Sequence, residues 1–197
     1  MRLLLATRNA KKLVELRRVL DAAAGGVALV GLDDVPAYPE VPETGLTFAA
    51  NALLKAREGA ARTGLATVAD DSGLAVDVLG GAPGVFSARW CGRHGDDEAN
   101  LDLLLAQLSD VAAPHRGAAF VCAAALVLPS GEEHVFHGEQ RGRLLSGRQG
   151  SGGFGYDPIF VADGRDRTNA QLTPAEKDAA SHRGQAFRAL AAHLSAR

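Results

Sequence analysis

Apolar and polar positions alternate along the first part of the chain in a way that predicts short strands separated by helices. Leu3–Ala6 is a short apolar run typical of a buried strand. Leucines then recur at positions 13, 16 and 20, the spacing of one helix face, behind Asn9, which we expect to cap the helix. Gly25-Gly26 is expected to end this helix, and Val27–Val30 predicts a second strand.

A second helix and strand follow a proline-rich stretch. The helix is predicted to start at Thr47, to run to about Arg62 and to be closed by Gly64. Ala66–Ala69 then predicts a small apolar strand, which ends at Asp70-Asp71-Ser72-Gly73.

The second half predicts one more helix, a hairpin and a glycine-rich loop before the C-terminal helices. Asp97 is expected to cap a helix through Leu108, and Ala118–Leu128 to form a buried strand that turns back into His134–His137. Gly147–Gly155 holds five glycines, which indicates a loop with unusual backbone angles. Thr173-Pro174-Ala175-Glu176 is typical of a capping box. This order predicts an α/β fold, a mixed twisted sheet flanked by helices, in a single domain spanning residues 1–197.

Composition narrows the class of protein. The net charge of −2, from 21 basic and 23 acidic residues, argues against a dedicated nucleic-acid binder. The longest apolar run, Ala118–Leu128, is shorter than the roughly 18 residues that a membrane span needs, so we expect no membrane partner. Cys91 and Cys122 have neither disulfide-framework nor metal-binding spacing, and a reducing, cytoplasmic setting is predicted.

Two polar segments suggest phosphate and cation binding. Thr7–Lys12 lies between the first strand and the first helix, where backbone N–H groups and lysine side chains attract an anion; the alternative is an ordinary helix cap with solvated lysines. Asp70 and Asp71 follow an apolar strand and can hold a hard cation or activate water, although such pairs also occur in plain loops. Glu43 could add a carboxylate, with Lys55 two turns into the next helix.

Two later segments suggest recognition of a planar ring. Phe154 and Tyr156 lie among glycines beside Asp157, so they could sandwich a base; alternatively their rings fill the core. Lys177 and the Ser181-His182-Arg183 segment offer donors to phosphate or to a base carbonyl; alternatively Ser181 is a helix cap and its neighbours are solvated.

Taken together, these segments resemble the inosine triphosphate pyrophosphatase family, whose members act on non-standard purine triphosphates. The similarity spans nearly the whole chain, in the family's order, through LATRNAKKLVEL, ETGLTFAANALLKA, ADDSGLAVDVLGGAPGVFSARW, GGFGYDPIF and EKDAASHRG. The resemblance implies an elongated fold of two lobes with the active site in the cleft between them, a Mg²⁺ cofactor and a homodimer. It also implies hydrolysis of ITP, dITP and XTP to the monophosphate and pyrophosphate.

The resemblance further assigns site residues. Asp71 matches the acid proposed as general base, and Glu43 and Asp71 match the magnesium ligands. The positions that match substrate contacts are Thr7, Arg8, Asn9, Ala10, Lys11, Lys12, Lys55, Ser72, Phe154, Gly155, Tyr156, Asp157, Lys177, His182 and Arg183.

Three positions depart from the family's pattern, one of them a minor change at Gln149, near where a proline is common, and two other functions stay open. Ala50 stands where the family usually has glutamate, which removes half of a capping box on Thr47, and Arg8 replaces a common glycine in the phosphate turn. The alternative functions are a pyrophosphatase for modified pyrimidine nucleotides and a nucleotide-binding module without catalysis. A water-activating acid at Asp71 argues against the second.

Overall fold

Six strands form one mixed sheet in the computed structural model, which describes residues 2–23 and 27–196. The strands are β1 (Arg2–Leu5), β2 (Ala28–Val30), β3 (Ala66–Val76), β4 (Gly117–Val127), β5 (Glu133–Leu144) and β6 (Phe160–Ala162). Their order across the sheet is β2-β1-β3-β4-β5-β6.

Strand directions confirm that the sheet is mixed. β1 is parallel to β2, with Leu3 opposite Leu29, and parallel to β3, with Leu4 opposite Thr67. β5 and β6 are antiparallel, with Arg143 opposite Val161. β4 and β5 are neighbours joined only by residues 128–132, too short a connection for a crossover, so they form the predicted hairpin.

Five α-helices accompany the sheet within the described residues: α1 (Ala10–Ala23), α2 (Phe48–Thr63), α3 (Asp97–Gln107), α4 (Pro174–Ala180) and α5 (His182–Ser195). The predicted caps of α1 and α2 are confirmed, since the Asn9 and Thr47 side chains accept hydrogen bonds from the first turns that follow them, and Gly64 closes α2 with a φ of 65°. The capping box of Thr173 and Glu176 at α4 is also confirmed. Gly25-Gly26, expected to end α1, lies outside the described residues.

Several element boundaries differ from the prediction, most of them by a single residue and those of β3 and β5 by more. The cap of α3 is Asp96, one residue earlier than expected. β3 continues through Asp70 and Asp71 because both side chains are buried and paired inside the protein, where no loop is needed to solvate them. β5 continues to Leu144, and its added half alternates exposed and buried positions although two glycines and Gln140 precede Leu144 on the buried side.

The chain forms two compact units, each assembled from separate segments. Unit 1 comprises Met1–Asp71, Cys122–Gly138 and Arg183–Arg197, and unit 2 comprises Ser72–Val121 and Glu139–His182. Strands β3, β4 and β5 contribute residues to both units. No helix in the described ranges is long and apolar enough to cross a membrane.

Each unit has its own apolar core. In unit 1, leucines of β1 and α1 pack with Phe187 and Leu190 of α5, while a second, alanine-rich cluster joins α2 to β4 through residues such as Ala56 and Ala123. Small side chains let that helix approach the strands closely. In unit 2, Leu74 of β3 packs in a cluster with Leu104 of α3 and other apolar residues.

Candidate active site

The turn between β1 and α1 has the geometry of a capped helix start. The Asn9 carboxamide Oδ1 accepts from the backbone N–H of Lys11 at 3.0 Å and of Lys12 at 3.1 Å. These two N–H groups therefore already have a partner, and the ordinary-cap interpretation is correct for the backbone. Attraction for an anion comes instead from the helix dipole and the lysine side chains. Ala10 and Lys11 are exposed in the first turn.

Thr7 and Arg8 shape the loop in front of this helix. The Thr7 hydroxyl accepts from the backbone N–H of Asn9 at 3.3 Å. The Arg8 guanidinium donates to the carbonyl of Tyr38 at 2.7 Å and lies 4.0 Å from Glu40 Oε2, so it braces the proline-rich loop. The Arg8 side chain therefore has a structural role in this loop.

Lys12 is held by Asp70. Its Nζ donates to Asp70 Oδ2 at 2.9 Å, and Arg183 Nε lies 3.6 Å from the same oxygen. Asp70 is 2% exposed. Burial alone would raise the pKa of its carboxyl, but the charges of Lys12 and Arg183 outweigh burial and hold that pKa well below its usual range. Asp70 is therefore an ionised anchor for two cations.

Arg183 is buried in unit 1 between two carboxylates. Its Nη1 donates to Glu15 Oε2 at 2.6 Å. Glu15, Arg183, Asp70 and Lys12 thus form a line of alternating charges. The alternative in which Arg183 is solvated is wrong, and whether it also contacts a base stays a prediction. The sequence reasoning missed Glu15; its signal was a charge three residues after Lys12, next to Leu16 on the apolar face of α1.

Glu43, Lys55 and Asp71 lie together beside α2. Lys55 Nζ donates to Glu43 Oε1 at 2.8 Å and lies 3.9 Å from Asp71 Oδ1. Asn51, one turn earlier on the same helix, donates from Nδ2 to Asp71 Oδ2 at 3.0 Å. Sequence reasoning missed Asn51, although its spacing of four residues before Lys55 places both side chains on one helix face.

The pKa of the Asp71 carboxyl is shifted in the opposite direction to that of Asp70. Burial raises the pKa of the Asp71 carboxyl, the Lys55 charge counteracts this, and the Glu43 charge raises it again, so the net pKa lies above its ordinary value. A carboxylate with a raised pKa accepts a proton more readily. Asp71 is therefore better suited than Asp70 to take a proton from water.

The pair of Glu43 and Asp71 fits a divalent cation. Both carboxylates approach the same ammonium group of Lys55, so their oxygens surround a position where positive charge is stabilised. No cluster of three or more His, Cys, Asp or Glu side chains suited to a metal occurs among the described residues. Mg²⁺ typically binds through one or two carboxylates and completes its coordination with substrate phosphates and water, and this pair supplies such a set.

A second group of predicted residues lies in unit 2 around Asp157. Asp157 Oδ2 accepts from the backbone N–H of Phe154 at 2.9 Å and from Lys177 Nζ at 2.7 Å. Lys177 Nζ also lies 4.7 Å from the centre of the Phe154 ring, a cation–π distance. Gly153 has a φ of 69°, and a Cβ there would collide with Asp157, so the loop requires glycine. Phe154 and Gly155 remain partly exposed.

The Tyr156 side chain is buried and contributes to the fold of unit 2. Its ring packs in the core of unit 2 and its hydroxyl donates to the carbonyl of Ser87 at 2.9 Å. The prediction that Phe154 and Tyr156 sandwich a base is therefore wrong for the Tyr156 ring, because a buried, hydrogen-bonded phenol has no open face.

His182 and Ser72 complete the predicted set in unit 2. The His182 imidazole is buried and stacks on Phe120, with ring centres 4.9 Å apart and planes within 9°. Phe120 was not predicted. Ser181 ends α4 and directly precedes the first residue of α5, so it stands at the predicted cap position, whereas the solvated alternative for His182 is wrong. Ser72 is partly buried in β3.

The predicted residues therefore form two groups. In unit 1, Asp70 contacts Lys12 and Arg183, and Lys55 contacts Glu43 and the adjacent Asp71, while unit 2 brings together Phe154, Asp157 and Lys177. The chain passes from one unit to the other twice at predicted site residues: between Asp71 and Ser72 and between His182 and Arg183.

Comparison with known proteins gives full-length matches. Residues 3–193 match the model of the Ham1 family. A dITP/XTP pyrophosphatase of Nocardia farcinica is 65% identical over 196 residues, covering 99% of this chain and 95% of the relative. One from Streptomyces coelicolor is 63% identical over 189 residues, covering 96% and 94% respectively.

Solved structures also match the chain over nearly its full length. A nucleoside-triphosphatase, or dITP/XTP pyrophosphatase, of Mycobacterium abscessus is 63% identical with a TM-score of 0.79, covering 98% of this chain and 99% of that one. A HAM1 protein of Coxiella burnetii is 37% identical with a TM-score of 0.90, and the match covers 100% of both chains. With a family model and relatives matching over nearly its full length, this chain belongs to the Ham1 family.

Proposed function

We propose that this protein is a nucleoside triphosphate pyrophosphatase that hydrolyses non-standard purine nucleotides, ITP, dITP and XTP, and so removes them from the nucleotide pool. The observation that carries the proposal is the partly buried Glu43–Lys55–Asp71 arrangement beside Lys12 and Asp70. It combines carboxylates for a cation, a proton acceptor and ammonium groups for phosphate. The relatives named as dITP/XTP pyrophosphatases support the substrate class.

Residues of unit 1 are proposed to bind the triphosphate of the substrate. This group carries about four negative charges at neutral pH, and its cleavage places more charge on the departing pyrophosphate. Lys12 at the positive end of α1 and Lys55 on α2 are proposed to offset that charge. A divalent cation held by Glu43 and Asp71, which we propose is Mg²⁺, supplies further stabilisation of charge on the phosphate oxygens.

Asp71 is proposed as the general base that takes a proton from the attacking water. It orients a water molecule and accepts its proton while the water oxygen forms a bond to phosphorus. The anhydride between the α and β phosphates breaks, and the electron pair leaves with the bridging oxygen. Attack at either phosphorus gives the same products, a nucleoside monophosphate and pyrophosphate.

The base is assigned to Phe154, Asp157, Lys177 and His182, with Arg183. Phe154 offers a partly exposed ring for stacking, and Asp157 is fixed by two donors. Hypoxanthine and xanthine carry an oxygen at position six, which accepts hydrogen bonds, whereas adenine carries a donating amino group there. The donors of His182 and Arg183 therefore favour the non-standard bases over adenine.

Assembly and location are proposed on the family resemblance. We propose a homodimer that works in the cytoplasm on small-molecule nucleotides, with neither nucleic acid nor membrane as a partner. The net charge of −2 argues against nucleic acid as a partner.

The test is a nucleotide panel with the products identified by phosphorus NMR. We expect pyrophosphate from ITP, dITP and XTP, little turnover of ATP, and no turnover in a chelator, with activity restored by Mg²⁺. Orthophosphate as the first product would overturn the proposed reaction. Preference for modified pyrimidine nucleotides would favour the alternative pyrophosphatase, and binding without turnover the non-catalytic module.

A further inference from the structure

Asn51 is a buried amide with a partner at each end. Its side chain lies in the first turn of α2 and the residue is 0% exposed. Oδ1 accepts from the backbone N–H of Gly45 at 2.7 Å, and Nδ2 donates to Asp71 Oδ2 at 3.0 Å. One side chain therefore connects the loop that carries Glu43 to the strand that carries Asp71.

The two partners fix the orientation of the amide. A backbone N–H can only donate, and an ionised carboxylate can only accept, so only one of the two amide orientations satisfies both Gly45 and Asp71. In that orientation Nδ2 always faces Asp71 Oδ2. This leaves Asp71 Oδ1 as the carboxylate oxygen directed toward Lys55, at 3.9 Å from its Nζ.

Gly45 is packed directly against Asn51. A Cβ at position 45 would lie 2.7 Å from Asn51 Oδ1 and 2.7 Å from the Ala50 Cβ, closer than such atoms approach. Only glycine lets the loop lie this close to the helix. The same stretch of loop places Glu43, two residues earlier, within 2.8 Å of Lys55 Nζ.

Asn51 and Lys55 together hold the two carboxylates from one helix. They are four residues apart and so face the same side of α2. Lys55 contacts Glu43 and Asp71 directly, whereas Asn51 contacts Asp71 and the backbone beyond Glu43. Lys55 is also proposed to contact the triphosphate. Asn51 is neutral and has no such alternative partner in the reaction.

We propose that Asn51 is a positioning residue that keeps Glu43 and Asp71 at the separation a divalent cation requires. The proposal rests on the proposed function of these two carboxylates. Removal of a residue that orients metal ligands typically weakens metal affinity about 10–100-fold. We therefore expect Asn51→Ala to bind a divalent cation more weakly by about that factor in the substrate-free protein.

Asn100 provides a matched control. It is also a buried asparagine, whose Oδ1 accepts from the backbone N–H of Cys91 at 2.7 Å and whose Nδ2 donates to the carbonyl of Ala88 at 3.2 Å. It lies in unit 2 and contacts none of the proposed ligands. Asn100→Ala loses the same kind of bonds, so it measures the effect of removing a buried amide alone.

The experiment titrates Mn²⁺ into each substrate-free protein and follows free Mn²⁺ by electron paramagnetic resonance, with thermal melts to show folding. We expect weakened binding for Asn51→Ala and wild-type binding for Asn100→Ala. Gly45→Ala is a second variant that leaves Asn51 in place but pushes the loop away from it, and it should weaken Mn²⁺ binding as well. It keeps the test valid if Asn51→Ala does not fold.

Kinetics separate positioning from general damage. At saturating nucleotide, Asn51→Ala should have a lower kcat that rises when the cation concentration is increased, with little change in KM. Wild-type Mn²⁺ affinity in both Asn51→Ala and Gly45→Ala would overturn the proposal, as would an equal loss in Asn100→Ala. If the wild-type protein bound Mn²⁺ but hydrolysed no nucleotide, the proposed function would fail while the positioning role of Asn51 could still be measured.

Discussion

At the scale of single residues, two adjacent aspartates in one strand have opposite properties. Successive strand residues point to opposite faces, so Asp70 reaches Lys12 and Arg183, while Asp71 reaches Asn51 and Lys55. The first carboxyl has a lowered pKa and the second a raised one. Neighbouring acids whose environments move their pKa values apart are suited to different tasks.

Substitution of each aspartate by asparagine should therefore give different results. We expect Asp71→Asn to lower kcat by roughly 10²–10⁴-fold, the usual contribution of a general base, while the protein still melts near the wild-type temperature. Asp70→Asn removes the carboxylate that holds Lys12 and leaves the buried Arg183 with Glu15 as its remaining carboxylate, so it should destabilise the fold by about 3–5 kcal/mol. Turnover and thermal melts of both variants provide the measurement. Near wild-type turnover by Asp71→Asn would reassign the base.

Many residues of the candidate site were predicted from sequence, but the contacts that connect them were not. Lys12, Glu43, Lys55 and Asp71 stand in recognisable segments. The ion pair of Glu15 with Arg183 joins residues 168 positions apart, and no spacing rule connects them. Sequence could not decide the place of the Tyr156 ring, because an aromatic among glycines has the same local pattern whether it stacks on a ligand or fills a core.

At the scale of elements, α2 is the helix on which the proposed cation site depends. It presents Asn51 and Lys55 from its first two turns, and both of its ends were predicted correctly from local sequence. The Thr47 hydroxyl accepts from the backbone N–H of Ala50 at 3.1 Å. Because residue 50 is alanine, this cap lacks the reciprocal half of a capping box.

The Thr47 hydroxyl should therefore stabilise the start of α2 without a reciprocal hydrogen bond from residue 50. We expect Thr47→Ala to reduce the free energy of unfolding by about 1 kcal/mol, the usual value for such a cap. Thr47→Ser keeps the hydroxyl and should remain close to the wild type. Urea denaturation of the three proteins checks this, and equal stability of Thr47→Ala and the wild type would show that the cap contributes nothing.

Element lengths were less predictable than element types. Local caps defined the helices to within a residue, whereas β3 and β5 run on through polar segments that look like loop. Their polar side chains are satisfied by distant partners, such as Lys12 for Asp70 and Asn169 for Gln140. A sequence window cannot contain those partners.

At the scale of the whole molecule, the fold is discontinuous along the chain. Unit 1 takes its core from three separate segments, with Leu16 of α1, Ala124 of β4 and Phe187 of α5 in one cluster. No single stretch of sequence contains that core. We therefore propose that residues 1–197 fold as one domain.

Fragments provide a test of this proposal. A peptide of residues 1–71 retains β1, α1, α2 and most of β3 but lacks the apolar residues of β4 and α5 that cover them. We expect it to remain unfolded, with poorly dispersed amide signals in NMR spectra, where the full chain gives dispersed ones. A folded fragment would contradict the proposal and indicate that β1 and α1 need no partner from the later chain.

The late position of α5 has a consequence for synthesis on the ribosome. β3 enters unit 1 by residue 71, yet Phe187 is translated more than a hundred residues later. At about 5–20 residues per second, the nascent chain carries the uncovered leucines of β1 and α1 for roughly 5–25 s. During that interval the emerging polypeptide exposes apolar surface that favours aggregation, and unit 1 can finish folding only after α5 has been made.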